Sequence, residues 1–195
     1  MIFNFNSKTE ITHSFDESDF NQLTTVSGVT GDKLPTITGC GYMMLRRVAG
    51  SSTGTLDVYI DGNTQPFKLS TEYNYGIAGD FYKFYFQESI RFSNGLSTHT
   101  YLYQTLLAEK TVDKRYNIAQ DIITNTNYIN MSGRGKVLVS PAERGTTFYY
   151  SIDNGTEYSL SFRGNQYIEL MFNESIKFKS EYGTTALYYI AYLEN

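Results

Sequence analysis

Apolar residues along this chain recur mostly with a period of two. Leu56, Val58 and Ile60 alternate with Thr55, Asp57 and Tyr59, and Phe148, Tyr150 and Ile152 alternate with Tyr149, Ser151 and Asp153. Such alternation predicts half-buried strands. Each run leads into a turn signal, Asp61-Gly62 in one case and Asn154-Gly155 in the other, dipeptides that accept the positive φ of a tight hairpin turn. Tyr82, Phe84, Phe86, Ile90 and Phe92 then share a parity across a polar Gln87-Glu88 step, as do Ile168, Leu170, Phe172, Ile176 and Phe178. Two strands joined at a tight polar corner or bulge account for this pattern. The segments Tyr101–Leu107 and Leu187–Leu193 are apolar on both parities, which predicts strands central to a sheet or placed at a contact with another domain.

The pairs of runs are copies of one another. Phe86-Gln87-Glu88-Ser89-Ile90-Arg91-Phe92 returns 86 residues later as Phe172-Asn173-Glu174-Ser175-Ile176-Lys177-Phe178, with five of seven positions identical. Phe67-Lys68-Leu69-Ser70 matches Tyr158-Ser159-Leu160-Ser161 at an offset of 91, and Ile60-Asp61 matches Ile152-Asp153 at 92. The changes of offset fall where loops are expected, since surface connections tolerate insertion. The expected fold is therefore all-β: two tandem, internally duplicated antiparallel β-sandwich or jelly-roll-like domains. Their expected extents are 15–108 and 116–195, with a charged linker at 109–115 and an N-terminal arm at 1–14. Tyr116–Ile123 fits either a strand or one helical turn. The arm fits either a strand added to a neighbouring subunit or one paired within its own domain.

Composition supports this reading and narrows the chemistry. Among 195 residues there are 18 Tyr, 13 Phe and 16 Gly but only 3 Pro, a usage rich in strand and turn formers. The net charge of −4 gives no electrostatic footprint for nucleic acid. The N-terminus lacks the apolar core of a secretory signal, and no apolar run approaches the length of a membrane span. A protein free in a reducing compartment, without membrane or nucleic-acid partners, is expected.

Catalytic and cofactor constellations are not found in the sequence. Cys40 stands alone between two glycines, and His13 and His99 have no sequence partner for nucleophilic or general-base work. Glu88 and Glu174 form a pair only through the repeat, which places them at equivalent corners of different domains, not facing each other across a substrate. Asp16-Glu17-Ser18-Asp19 lacks the ligand spacing of a calcium loop. Ser132-Gly133-Arg134-Gly135-Lys136 lacks the third glycine and the helix of a phosphate loop. No enzyme, cofactor or metal is expected.

What remains is a surplus of tyrosine, a residue enriched at interfaces because it combines apolar area with a polar tip. Tyr73, Tyr75, Tyr182, Tyr188 and Tyr192 are the expected binding surface, with Tyr149 alongside.

The layout of Ile60-Asp61-Gly62 with Phe86–Phe92, repeated as Ile152-Asp153 with Phe172–Phe178, resembles the small appended β-domains of bacteriophage virion proteins. The resemblance implies an auxiliary capsid, head-fiber or tail-associated subunit, made in the bacterial cytoplasm and resident in the virion. Its implied partners are other virion proteins and further copies of itself. The competing expectation is a carbohydrate or host-surface binding module in which tyrosines stack on sugars. If the arm exchanges between subunits, deleting residues 1–14 weakens assembly while circular dichroism and thermal melting stay native. An unchanged oligomer assigns the arm to its own domain.

Overall fold

The computed structural model describes residues 24–50, 54–70, 82–108, 116–142, 145–162, 167–183 and 185–195. The expected arm and linker, the acidic run at 16–19, His13, Tyr73 and Tyr75 lie outside the described residues. Sixteen strands are described. The first eight are β1 (Thr24–Thr30), β2 (Ile37–Thr38), β3 (Gly41–Ala49), β4 (Thr55–Ile60), β5 (Phe67–Ser70), β6 (Tyr82–Phe86), β7 (Ser89–Ser93) and β8 (Thr100–Leu107). The second eight are β9 (Tyr116–Ile123), β10 (Ile129–Ser132), β11 (Gly135–Pro141), β12 (Thr147–Ile152), β13 (Tyr158–Ser161), β14 (Ile168–Phe172), β15 (Ser175–Ser180) and β16 (Leu187–Glu194).

Four antiparallel sheets result, with orders β1-β8-β3-β6, β2-β7-β4-β5, β9-β16-β11-β14 and β10-β15-β12-β13. The second pair repeats the first strand for strand. Eight strands wound alternately into two facing four-stranded sheets make a jelly roll, so the chain is a tandem of two. The segment at 116–123 is a strand, and it occupies in the second copy the place of β1 in the first.

The repeat reaches down to individual hydrogen bonds. Asp61 and Asp153 both adopt positive φ (50° each) at the start of the turn after β4 and β12. The Asp61 carboxylate accepts the backbone N–H groups of Gln87, Glu88 and Ser89 at 3.0, 2.7 and 3.0 Å. Asp153 accepts those of Asn173, Glu174 and Ser175 at 3.0, 2.7 and 3.1 Å. The Phe-x-Glu-Ser-Ile corner is thus an anion-binding nest filled by an aspartate from elsewhere in the same copy. Glu88 and Glu174 contribute backbone, while the residues themselves are exposed.

In the second copy the positive-φ pair is Asp153-Asn154, one residue earlier than the expected Asn154-Gly155. The bond from Gly155 N–H to Ile152 C=O (2.8 Å) closes the turn there, as Asn63 N–H to Ile60 C=O (3.0 Å) does in the first copy. Asparagine tolerates the left-handed region, so glycine is not needed at that place.

A second duplicated device links β2 to β3 and β10 to β11. Gly39 and Gly133 take φ of 115° and 109°, and their N–H groups donate to Glu88 and Glu174 C=O. Two residues on, a Cβ at Gly41 would lie 2.2 Å from Leu106 O, and one at Gly135 would lie 2.2 Å from Tyr192 O. Both glycines let the chain pass between sheets against a neighbouring strand. Gly39-Cys40-Gly41 and Gly133-Arg134-Gly135 are the same corner, an equivalence that two glycines at an offset of 94 in the sequence would have shown.

Burial holds the Asp153 carboxyl up while the N–H bonds from Glu174, Ser175 and Asn173 pull it down, and the net position is below the ordinary aspartate range. A folded-state value below the unfolded one adds stability above the unfolded pKa, about 3.9, and that stability is lost as pH falls through the folded value. Asp153→Asn keeps the positive-φ tolerance and removes the charge. The variant is expected to unfold at lower denaturant than wild type at neutral pH, with the gap closing in acid below the carboxylate range. Equal gaps at both pH values would contradict the role given to the charge.

Candidate interaction surfaces

Two apolar cores are present. One lies inside the second jelly roll and includes Val137, Val139, Phe148, Leu170, Phe172, Ile176, Phe178, Leu187, Tyr189 and Ala191. The other fills the first jelly roll but also takes in Tyr116, Leu138, Tyr188, Ile190 and Tyr192 of the second. The β9-β16-β11-β14 sheet therefore buries both faces of its two central strands, β11 and β16: odd residues of β16 point into its own sandwich and even residues point into the junction. The burial of β16, complete from Leu187 to Tyr192, follows from this, as does the unbroken burial of Val137 to Pro141 in β11.

The junction covers one edge of the first sandwich. β5 and β6 are the last strands of their sheets, so their outward N–H and C=O groups and the gap between the sheets are open unless something caps them. Side chains of the second copy do so. Tyr167 OH accepts Lys83 N–H at 2.8 Å, Tyr192 OH donates to Tyr85 C=O at 3.1 Å, and Ser140 Oγ donates to Lys68 C=O at 2.7 Å. The Tyr167 ring lies against Phe67, Tyr82 and Phe84, with centroids 5.4–6.3 Å apart. Tyr85, Tyr116 and Tyr192 form a triangle of edge-to-face rings at 5.2–6.2 Å.

Two glutamines act as surrogate peptide groups. Gln120, buried in the junction, accepts Ile60 N–H through Oε1 (3.1 Å) and donates through Nε2 to Val58 C=O and Gln65 C=O (2.7 Å each). It extends the ladder where β5 has not yet begun. Gln87 does the same in reverse, accepting Tyr116 N–H at 3.1 Å and donating to Tyr116 C=O at 2.9 Å. The shorter Asn173 stands at the equivalent place in the second copy. Burial pushes the phenols of Tyr85 and Tyr192 well above the ordinary tyrosine value, with the Cys40 contact at 3.4 Å adding to the effect on Tyr85. Both stay protonated and serve as neutral hydrogen-bonding groups.

This corrects the expected binding surface. Tyr188 and Tyr192 are 6% and 1% exposed and are spent on the internal junction, because β16 is covered on both faces. Tyr182 is exposed (58%). Tyr149 lies on the outer face of the β10-β15-β12-β13 sheet, where its hydroxyl donates to Glu181 at 3.4 Å. His99 directly precedes β8 and is buried against Tyr101. The sequence reading missed Tyr85, Tyr116, Tyr167, Gln87 and Gln120 as junction residues. Gln120 carried a signal, a polar residue on the apolar parity of Tyr116, Ile118 and Ile122.

The outer face of the β10-β15-β12-β13 sheet offers a polar surface. A basin of about 260 Å³ is lined by Asn130, Ser132, Ser151, Asn154, Ser175 and Lys177, among others. Beside it the Lys177 and Lys179 ammonium groups sit 5.3 and 4.5 Å from the Tyr128 ring centroid, and the Tyr128 hydroxyl bonds Glu157. Among the described residues no group of three or more His, Cys, Asp and Glu is placed to hold a metal ion, and no helix is long and apolar enough to cross a membrane.

No protein-family model matches the chain, and no curated protein matches its sequence. Similar solved structures include AerE from Microcystis aeruginosa, at 16% identity and TM-score 0.37, covering 90% of this chain and 87% of that one. Vicilin from Solanum melongena matches at 9% identity and TM-score 0.29, covering 90% and 74%. A chain in the atomic structure of Sulfolobus Turreted Icosahedral Virus matches at 12% identity and TM-score 0.25, covering 95% and 98%.

Gln120→Leu removes the acceptor of the buried Ile60 N–H and the donor shared by Val58 and Gln65 C=O. The expected cost is about 1–3 kcal/mol, read from urea unfolding. Because the junction couples the copies, separate transitions for the two jelly rolls are expected to emerge in place of a shared one. A shift below about 0.5 kcal/mol would refute the surrogate-peptide role.

Proposed function

We propose that this chain is a non-enzymatic structural component of a bacteriophage particle, an auxiliary capsid, head-fiber or tail-associated subunit that works through protein–protein assembly. The observation that carries this reading is the junction. Two jelly rolls are fused into one block by buried aromatic packing and by side chains that satisfy edge-strand backbone groups. Such a block is suited to transmitting load and to presenting fixed surfaces, and the tyrosine that dominates it is spent on cohesion within the chain. Assembly then falls to the surfaces that stay exposed, with further virion proteins and further copies of this chain as partners and neither nucleic acid nor membrane required.

A second reading, a glycan-binding module of the host surface, is favoured by the basin beside Tyr128, where hydroxyl and amide groups stand with the apolar Met131 and Ile176. Tyrosine faces stack on sugars and Asn and Ser side chains donate and accept to hydroxyl groups.

Quantitative mass spectrometry of purified particles separates the two. The structural reading expects the intact chain in particles at a fixed multiple-copy ratio to the major capsid protein. Absence from particles, together with glycan-array binding abolished by Tyr128→Ala, would replace it with the second reading.

A further inference from the structure

The internal junction joins two different surfaces, a sheet face of the second copy and a sandwich edge of the first, and the duplication supplies each of them once more. The repeat of the covered face is the outer face of the β1-β8-β3-β6 sheet. There Met44, Leu102 and Leu106 take the places of Leu138, Tyr188 and Tyr192. The latter three are buried, whereas the former three are half-buried, and β8 keeps a plain alternation as far as Thr105 where β16 is buried without a break from Leu187 to Tyr192.

The repeat of the capped edge is formed by β13 and β14, again the last strands of their sheets. Tyr158 and Met171 occupy the places of Phe67 and Tyr85 there. At the internal junction those residues are 0% and 2% exposed; at the second edge Tyr158 is 57% exposed and Met171 37%. Both are large apolar side chains that stay exposed at positions buried in the internal junction, on strands that end their sheets with open backbone groups.

We propose that the chain associates head to tail with further copies of itself, the β13–β14 edge of one copy seating on the outer β1-β8-β3-β6 face of the next and repeating the internal junction between molecules. The occupant is a second copy because the chain already shows which surface fits this one: a jelly-roll edge fits a jelly-roll face. Face and edge are different patches, so the contact is heterologous. Successive copies close into a ring if the rotation per step divides a full turn and extend into a filament if it does not. The proposal deepens the assembly reading above by naming the partner and the two surfaces, and it rests on that reading only for its biological purpose.

Sedimentation velocity over a range of concentrations tests it with an edge variant, Tyr158→Arg with Met171→Arg, and a face variant, Met44→Asp with Leu106→Asp. Wild type is expected to exceed the monomer mass. The edge variant, altered only at exposed residues, is expected to stay native by circular dichroism and to lose self-association by about thirty-fold or more. The face variant is expected to be equally impaired. An equimolar mixture retains one good face and one good edge and is expected to stop at a one-to-one dimer.

A monomeric wild type at every concentration overturns the proposal, as does an edge variant that associates like wild type, or a mixture of two folded variants that stays monomeric. If the face variant does not fold, the edge variant alone decides. A chain found in particles that fails these tests leaves the structural function standing and removes this contact. A chain that self-associates as described but is missing from particles does the reverse.

Discussion

An open sandwich edge is the constraint on which the rest of this structure turns. A jelly roll of two four-stranded sheets ends on one side in β5 and β6, whose outward backbone groups and intervening gap need partners. The chain answers with the face of a second jelly roll instead of a loop or a helix. Tyrosine suits the task because its ring seals the gap while the hydroxyl at the ring's far end reaches a backbone N–H or C=O. Tyr167 and Tyr192 do this at neighbouring outward positions of β6, and the glutamine amides of residues 120 and 87 replace missing peptide groups. Each such partner is a neutral dipole, so the junction buries polar atoms without the desolvation cost of charge.

The two copies agree in their hydrogen-bonded skeleton and differ in what their surfaces meet. The aspartate held in a three-N–H nest and the Gly-x-Gly passage between sheets recur with nearly the same distances. They belong to the winding of a single jelly roll, so every copy needs them. Surfaces are free of that requirement. The half-buried Lys68 gives way to the exposed Ser159 as its place becomes solvent-facing. The large apolar residues at Tyr158 and Met171 run against this trend, which is why they point to a partner.

Much of this was legible in the residue pattern, and the reason lies in the range of the forces involved. Period-two alternation, turn dipeptides and the 86-residue repeat are local or self-comparing signals, and they located the strands on either side of the corners. The corner itself was legible as a tight polar step or bulge between two strands, in a string present in both copies, Phe-x-Glu-Ser-Ile. That its three N–H groups close on an aspartate some twenty-odd residues earlier needs the folded chain, since nothing in the string names its acceptor. The matched glycines of the two passages escaped because they sit at a fourth offset, 94.

The amino-acid sequence by itself determined an all-β chain built twice from one plan, because backbone propensity and alternation act over a few residues and duplication preserves them. Only the tertiary structure decided where the tyrosines went. Leu187–Leu193 read as apolar on both parities, which is equally true of a strand central to its sheet and of one pressed against another domain; β16 is both. Tyr188 and Tyr192 could not be distinguished from surface tyrosines along the chain, since exposure depends on which edge a sheet face meets. That meeting is set by packing between residues more than a hundred positions apart, as in the bond from Tyr192 to Tyr85.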